Sequence, residues 1–206
     1  MEFLSRRRAK PDRLGILPGS FNPPTLLAHL ALAQAALAEL DEVVLVLPRV
    51  FPHKTYDGAS FTQRVDLLRA VLGHHPRLAA AVSVGGLFIE IAQECRAAYG
   101  PNVQLAFICG RDAAERMVGW DYGNPNAINR MLETFQLLVA CREGTYEPPP
   151  HLRQHIRALT LPADLNAVSS SDVRRRIRDG AAWQHLVPDM IVPILSKLSE
   201  IYRPPE

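Results

Sequence analysis

The run Val43-Val44-Leu45-Val46-Leu47, closed by Pro48, is apolar at every position. A strand wetted on one face alternates apolar and polar residues, whereas one covered on both faces does not. Ahead of this run, Leu26, Leu30, Ala33, Leu37 and Leu40 recur at helical spacing, which predicts an amphipathic helix over 26–40. Leu14 to Leu17 is a further short apolar run before that helix. Strand, helix and strand in this order, with both strands covered, require a parallel sheet with helices on its faces. The alternation continues through a helix over 61–73, capped by Ser60 or Thr62, a strand from Leu78 to Val84 and a helix over 87–99. Strands follow at Val103 to Cys109, Phe135 to Cys141 and Ile156 to Leu161, then helices near 171–179 and 189–200. The predicted fold class is α/β, an open, doubly wound, mainly parallel sheet with helices on both faces. Ligands of such folds bind outside the carboxyl ends of the strands. The Gly19 loop, Pro52-His53-Lys54 and Gly110-Arg111-Asp112 all follow strand ends, so they are expected at one rim.

A chain of 206 residues, 48% of them hydrophobic, has material for one sizeable core, and residues 13–203 read as a single domain. The net charge of +2 argues against a dedicated nucleic-acid binder. Arg6-Arg7-Arg8 with Lys10 precedes Pro11 without apolar periodicity, so residues 1–12 are expected to form a disordered basic tail. No apolar run approaches the roughly 18 residues of a membrane span, and residues 1–10 lack the apolar centre of a secretory signal. Cys95, Cys109 and Cys141 are odd in number and lack metal-ligand spacing. They fit free thiols in a reducing cytoplasm. The sequence leaves oligomeric state open, a homo-oligomer included.

Two segments carry candidate chemistry. In Gly19-Ser20-Phe21-Asn22-Pro23-Pro24-Thr25 an apolar strand stops at a glycine, turns through prolines and restarts as a helix with His29 in its first turn. Glycine permits close backbone approach, and free N–H groups at a helix start suit phosphate. No Gly-Lys-Ser/Thr follows, so this is not a Walker loop, nor is it Gly-x-Gly-x-x-Gly. An imidazole beside such a turn can donate to developing phosphoryl charge. In Val168-Ser169-Ser170-Ser171-Asp172-Val173-Arg174 a serine caps a helix, and Ser170 and Arg174 share one face four residues apart. Hydroxyl, N–H groups and guanidinium together make an anion site. Taken singly, the first segment also suits an ordinary strand–helix turn, and the second a capped surface helix with Asp172–Arg176 pairing. His53-Lys54 and Arg64 offer cations that can close on a phosphate, or simply face solvent. Asp112 can accept ribose hydroxyls or cap a helix, and Trp120 can stack on a ring or pack.

Together these residues resemble the paired signatures of the nucleotidyltransferase superfamily with a His-x-x-His-type motif. The second signature typically reads Ile-Ser-Ser-Thr-x-Ile-Arg. Pro52-His53-Lys54, Arg64, Gly110-Arg111-Asp112 and Trp120 are similar to the pattern of nicotinate or nicotinamide mononucleotide adenylyltransferases. The resemblance runs in order from about residue 14 to residue 180. It implies a Rossmann-like fold, with ATP and a pyridine mononucleotide as substrates and magnesium carried by ATP rather than by a metal-ligand set of the protein. The mononucleotide phosphate would attack the ATP α-phosphorus and release pyrophosphate. By the same resemblance Gly19, Ser20, Phe21 and Thr25 approach ATP, and His29 meets the reacting phosphates. Ser169, Ser170 and Arg174 would hold the β- and γ-phosphates, and Gly110 and Asp112 would reach ribose. Asn22, Lys54 and Trp120 fall to the second substrate, and His29, Lys54 and Arg174 to catalysis. Another phosphorylated acceptor, or a non-catalytic nucleotide-binding relative, are the alternatives. The chain departs from the pattern in its spacing. The family has His or Thr, two residues, then His, whereas three residues, Leu26-Leu27-Ala28, separate Thr25 from His29 here. Either one residue is inserted or Thr25 does not occupy the first position. One extra residue rotates an α-helix by about 100°, so the turn has to absorb an insertion if His29 is to face the phosphates. The family also often carries Tyr-Thr where this chain has Gly85-Gly86-Leu87-Phe88-Ile89-Glu90.

Overall fold

A computed structural model describes residues 1–7, 10–51, 58–73, 75–124, 126–141, 146–161 and 168–202. Among them one seven-stranded sheet forms, with strands β1 (Glu2–Ser5), β2 (Arg13–Pro18), β3 (Glu42–Pro48), β4 (Leu78–Ser83), β5 (Gln104–Gly110), β6 (Gln136–Ala140) and β7 (Ile156–Leu159). Their spatial order is β1-β4-β3-β2-β5-β6-β7. All neighbours pair in parallel except β1 with β4. From β2 the chain moves outward to β3 and β4, then returns to β5 on the other side of β2. The carboxyl ends of β2 and β5 therefore flank the point where strand order reverses, the place where doubly wound folds bind ligands.

The helices are α1 (Leu32–Ala36), α2 (Phe61–Leu72), α3 (Phe88–Tyr99), α4 (Arg111–Val118), α5 (Ala127–Thr134), α6 (Ser170–Arg178) and α7 (Val192–Leu198). Ser60 caps α2 by accepting from Gln63 N–H, and the Gln63 side chain accepts from Ser60 N–H in return. The unbroken apolar character of β3 has its cause in two cores. Val43, Leu45 and Leu47 pack on one face with residues of α1, α2, α6 and α7. Val44 and Val46 pack on the other with residues of α3, α4 and α5. Gly15 in β2 lets the layers close, because a Cβ there would stand 2.7 Å from Leu40 Cδ1 and 2.9 Å from Val43 Cγ2.

Two expectations are corrected. Residues 2–5 are not a disordered tail: they add β1 antiparallel to the edge strand β4. The arginines beyond it serve helix ends. Arg6 donates to Ala98 O at 2.9 Å, and Arg7 donates to Leu72 O at 2.7 Å and to Leu78 O at 3.2 Å. Carbonyls in a last helical turn lack intrahelical partners, and a guanidinium there satisfies them and the helix dipole together. Nor is 26–40 one α-helix. Leu26–Ala31 is a π-helical turn, α1 follows for five residues, and 37–39 is a turn. The apolar spacing was right about the buried side, but it does not distinguish a π-turn from an α-turn.

Candidate active site

The turn after β2 is held from three directions. Gly19 N–H donates to Val46 O at 3.0 Å, which continues the sheet by one residue. Phe21 has a φ of 47° and is fully buried. A bulky side chain rarely takes this left-handed conformation, so packing has to hold it. Its ring lies 4.9 Å from the His29 ring. On its other side it covers Gly19, whose Cβ would meet the ring tip at 3.0 Å. The Asn22–Pro23 peptide is cis. Asn22 is buried, and its Oδ1 accepts from Ala59 N–H at 3.3 Å and from the Tyr202 hydroxyl at 2.8 Å.

Thr25, also buried, opens the π-turn: its Oγ1 accepts from Ala28 N–H at 3.2 Å. The Leu30 N–H reaches back five residues to Thr25 O at 3.3 Å. A π-turn accommodates one extra residue in a helix, and here it covers the segment where three residues, not two, separate Thr25 from His29. As a result His29 Nδ1 lies 3.1 Å from Thr25 N and 3.0 Å from Thr25 Oγ1.

The second signature meets the first. Ser169 caps α6 by accepting from Asp172 N–H, and the Asp172 carboxylate accepts from Ser169 N–H and Oγ in return. These bonds from Ser169 are the main reason the Asp172 carboxyl lies below its ordinary pKa, with Arg175 adding to them. Asp172 pairs with Arg175 at 2.7 Å, not with Arg176 as the helical spacing suggested. Arg176 donates instead to Ala182 O. Ser170 Oγ donates to Pro23 O at 2.8 Å, Arg174 Nη1 donates to Asn22 O at 2.8 Å, and Arg174 Nη2 donates to Ser171 Oγ at 3.1 Å. Segments about 150 residues apart in sequence are thus joined across one turn.

Gly110 ends β5 beside β2, and among the described residues no atom outside its own neighbourhood lies within 4 Å of where its Cβ would be. Asp112 is exposed in the first turn of α4. Trp120, half exposed, lies two residues past α4, where a shallow cavity of about 430 Å³ includes Tyr122 and Ile128. Arg64 is buried in α2, with Nε donating to Ser60 O at 3.4 Å and its guanidinium 5.7 Å from the Phe61 ring. Lys54, with Pro52 and His53, lies outside the described residues. In the Gly85–Glu90 segment, Glu90 accepts from Gly86 and Leu87 N–H and Glu94 from Val84 and Gly85 N–H. A cavity of about 600 Å³ lies elsewhere, at the amino ends of β2, β5 and β6 around Arg13, Gln104 and Gln136, and so opposite the rim that gathers the two signatures. The sequence reading missed Tyr202, which braces Asn22 from 180 positions away. Its local pattern is that of any apolar helix end, and nothing in it signals this contact.

Fold and site together define a doubly wound α/β protein whose two signature segments meet at its switch point. The cytidylyltransferase-like family profile matches residues 16–176, and the chain belongs to that family. A probable nicotinate-nucleotide adenylyltransferase of Bordetella pertussis is 32% identical over 196 residues, covering 89% of this chain and 95% of the relative. One from Chromohalobacter salexigens is 30% identical over 207 residues, covering 89% and 93%. Among solved structures, Plasmodium falciparum nicotinic acid mononucleotide adenylyltransferase complexed with NaAD has the same fold, with a TM-score of 0.67 at 15% identity, covering 92% of this chain and 98% of that one.

Proposed function

We propose that this protein transfers AMP from ATP to nicotinate mononucleotide, or to its nicotinamide counterpart, forming the dinucleotide and pyrophosphate. The observation that carries the reading is the junction of the two signatures, Ser170 on Pro23 O and Arg174 on Asn22 O, at the switch point of the sheet. The names of the relatives favour the nicotinate form.

The reaction needs no protein nucleophile: the mononucleotide phosphate attacks the α-phosphorus in line and pyrophosphate leaves. The chain's work is positioning and charge stabilisation. Gly19 N–H is engaged in the sheet, so we assign the backbone donors for phosphate to Ser20 and Phe21. His29 donates from Nε2 to the α-phosphoryl oxygens as charge builds there. The α6 amino end, Ser170 and Arg174 receive the β- and γ-phosphates, with Ser169 fixing the end of that helix. Gly110 and Asp112 face ribose, Lys54 neutralises phosphate charge, and Trp120 lies toward the pyridine. Asn22, bonded to Ala59 and Tyr202, supports the turn from beneath.

Magnesium carried in with ATP would supply further charge neutralisation, beside that of Lys54 and Arg174. Among the described residues no three His, Cys, Asp or Glu side chains gather. Among the same residues no helix is long and apolar enough to cross a membrane. We place the reaction in the cytoplasm, where thiols such as Cys95 and Cys109 stay reduced. Incubation with ATP, magnesium and each mononucleotide, then with other phosphorylated acceptors, tests the reading. Dinucleotide and pyrophosphate are expected with nicotinate mononucleotide, and their absence with both pyridine mononucleotides would sink the proposal.

A further inference from the structure

The bond between Thr25 and His29 has a consequence for the imidazole itself. A backbone N–H can only donate, and Thr25 N lies 3.1 Å from His29 Nδ1. Nδ1 must therefore present its lone pair, and the proton of the neutral ring sits on Nε2. The hydroxyl is compatible with this: Thr25 Oγ1 accepts from Ala28 N–H at 3.2 Å and keeps a proton that can share the Nδ1 acceptor 3.0 Å away. A proton on Nδ1 would face the Thr25 N–H donor head-on.

We propose that Thr25 is a positioning residue for His29, and that the π-turn is what makes it one. The inserted residue and the threonine act as a matched pair. Thr25 itself is extended (φ −120°, ψ 153°) and caps the turn, so the rotation that aims His29 runs from Leu26. Two α-helical steps give about 200° and three about 300°, whereas three steps of a π-turn give about 250°, which brings His29 back about half of the way toward where a two-residue spacing would set it. There the ring comes to rest on Thr25 behind and on Phe21, 4.9 Å away, at its side. With Nδ1 occupied from behind, the proton of the neutral ring is fixed on Nε2, the nitrogen that would donate to developing phosphoryl charge. The change of helix type thus sets His29 against Thr25, the residue that matches the first position of the resembled motif, where His or Thr stands.

This inference rests on the proposed reaction only for its effect on turnover. The tautomer itself is readable without substrate. Long-range proton–nitrogen correlation spectra of the ¹⁵N-histidine-labelled full chain, assigned with His29→Gln, should show His29 as the Nε2–H tautomer at neutral pH. Thr25→Val should lower kcat about tenfold with the KM for ATP within about twofold, and Thr25→Ser should restore kcat to within about twofold. A tautomer protonated on Nδ1 in the unaltered protein overturns the inference whatever the variants do. So does a folded Thr25→Val protein with normal kcat. If the tautomer is as stated but no nucleotide is transferred to any acceptor, the proposed reaction fails and the geometric claim survives. Turnover with Nδ1–H is the converse.

Discussion

Two glycines at the rim distinguish a close approach made by the protein from one that awaits a ligand. At Gly19 an added Cβ would lie 3.0, 3.2 and 3.3 Å from the tip of the Phe21 ring. That ring is fully buried and has no open side to retreat into. It must shift by a few tenths of an ångström, and it carries His29 with it through their 4.9 Å contact. Overpacking of this kind costs about 1–3 kcal/mol, which at this chain length lowers Tm by roughly 2–12 °C. A misplacement of about 1 Å costs roughly 100-fold in rate, so a shift of a few tenths should cost between about threefold and tenfold in kcat. At Gly110 the backbone (φ −79°, ψ 165°) suits alanine, and among the described residues its Cβ would meet nothing within 4 Å. Replacing glycine there removes unfolded-state freedom worth about 0.4–1 kcal/mol. Alanine's weaker capping of α4 offsets a few tenths of that. Gly110→Ala should therefore melt within roughly 2 °C of the parent and yet raise the KM for ATP about tenfold or more, because the space it fills is assigned to the nucleotide. Thermal melting and steady-state kinetics on both variants decide the matter. A Gly110→Ala protein with the parental KM would refute the assignment of that space. A Gly19→Ala protein with parental Tm and kcat would refute the packing chain from Gly19 through Phe21 to His29.

Other consequences can be checked separately. His29→Ala should lower kcat by at least about 100-fold in a protein that still folds, the scale of losing a transition-state donor; a near-normal rate removes His29 from the mechanism. Tyr202→Phe deletes the bond to Asn22 and should cost about 1–2 kcal/mol, or roughly 2–8 °C in Tm. Burial pushes the Tyr202 hydroxyl up to about 12. The unfolded chain then loses this proton first, from about pH 10, and stability falls as pH rises from there through about 12. The phenylalanine variant should lack that part of the alkaline decline in denaturant titrations. Asp172 has the opposite sign. Its carboxyl is held below its ordinary value, so its contribution is full above about pH 4 and fades as pH falls through the folded value. Asp172→Ala should flatten acid denaturation there, and an unchanged acid limb would contradict the capping role.

The sheet was legible because strands covered on both faces are apolar throughout, and six of the seven strands show that pattern or part of it. Strand β1 escaped because its four residues are flanked by arginines that resemble a solvated tail. Only the tertiary structure shows those arginines bonded to the carbonyls of Ala98, Leu72 and Leu78. Helices α4 and α5 escaped because they bury little: Ala114 and Met117 in one, Leu132 in the other. Their apolar residues do keep to one face, but over only eight residues each, about two turns, so the period repeats too few times to have been picked out. The two signatures were legible as separate anion sites, but their junction was not, since it is made through the backbone carbonyls of Asn22 and Pro23, which any residues would supply. The insertion before His29 was visible as a mismatch. That it becomes a π-turn depends on the hydrogen bond Leu30 makes to Thr25, which no residue type announces.

The most direct test of the account follows one phosphorus atom. ATP labelled at the α-phosphate, mixed with magnesium, nicotinate mononucleotide and this protein, should deliver its label to a dinucleotide, with one pyrophosphate released per dinucleotide and no label retained on the protein. Label bound covalently to the protein would contradict direct attack, and ATP that stays intact in the presence of both pyridine mononucleotides would contradict the proposed function.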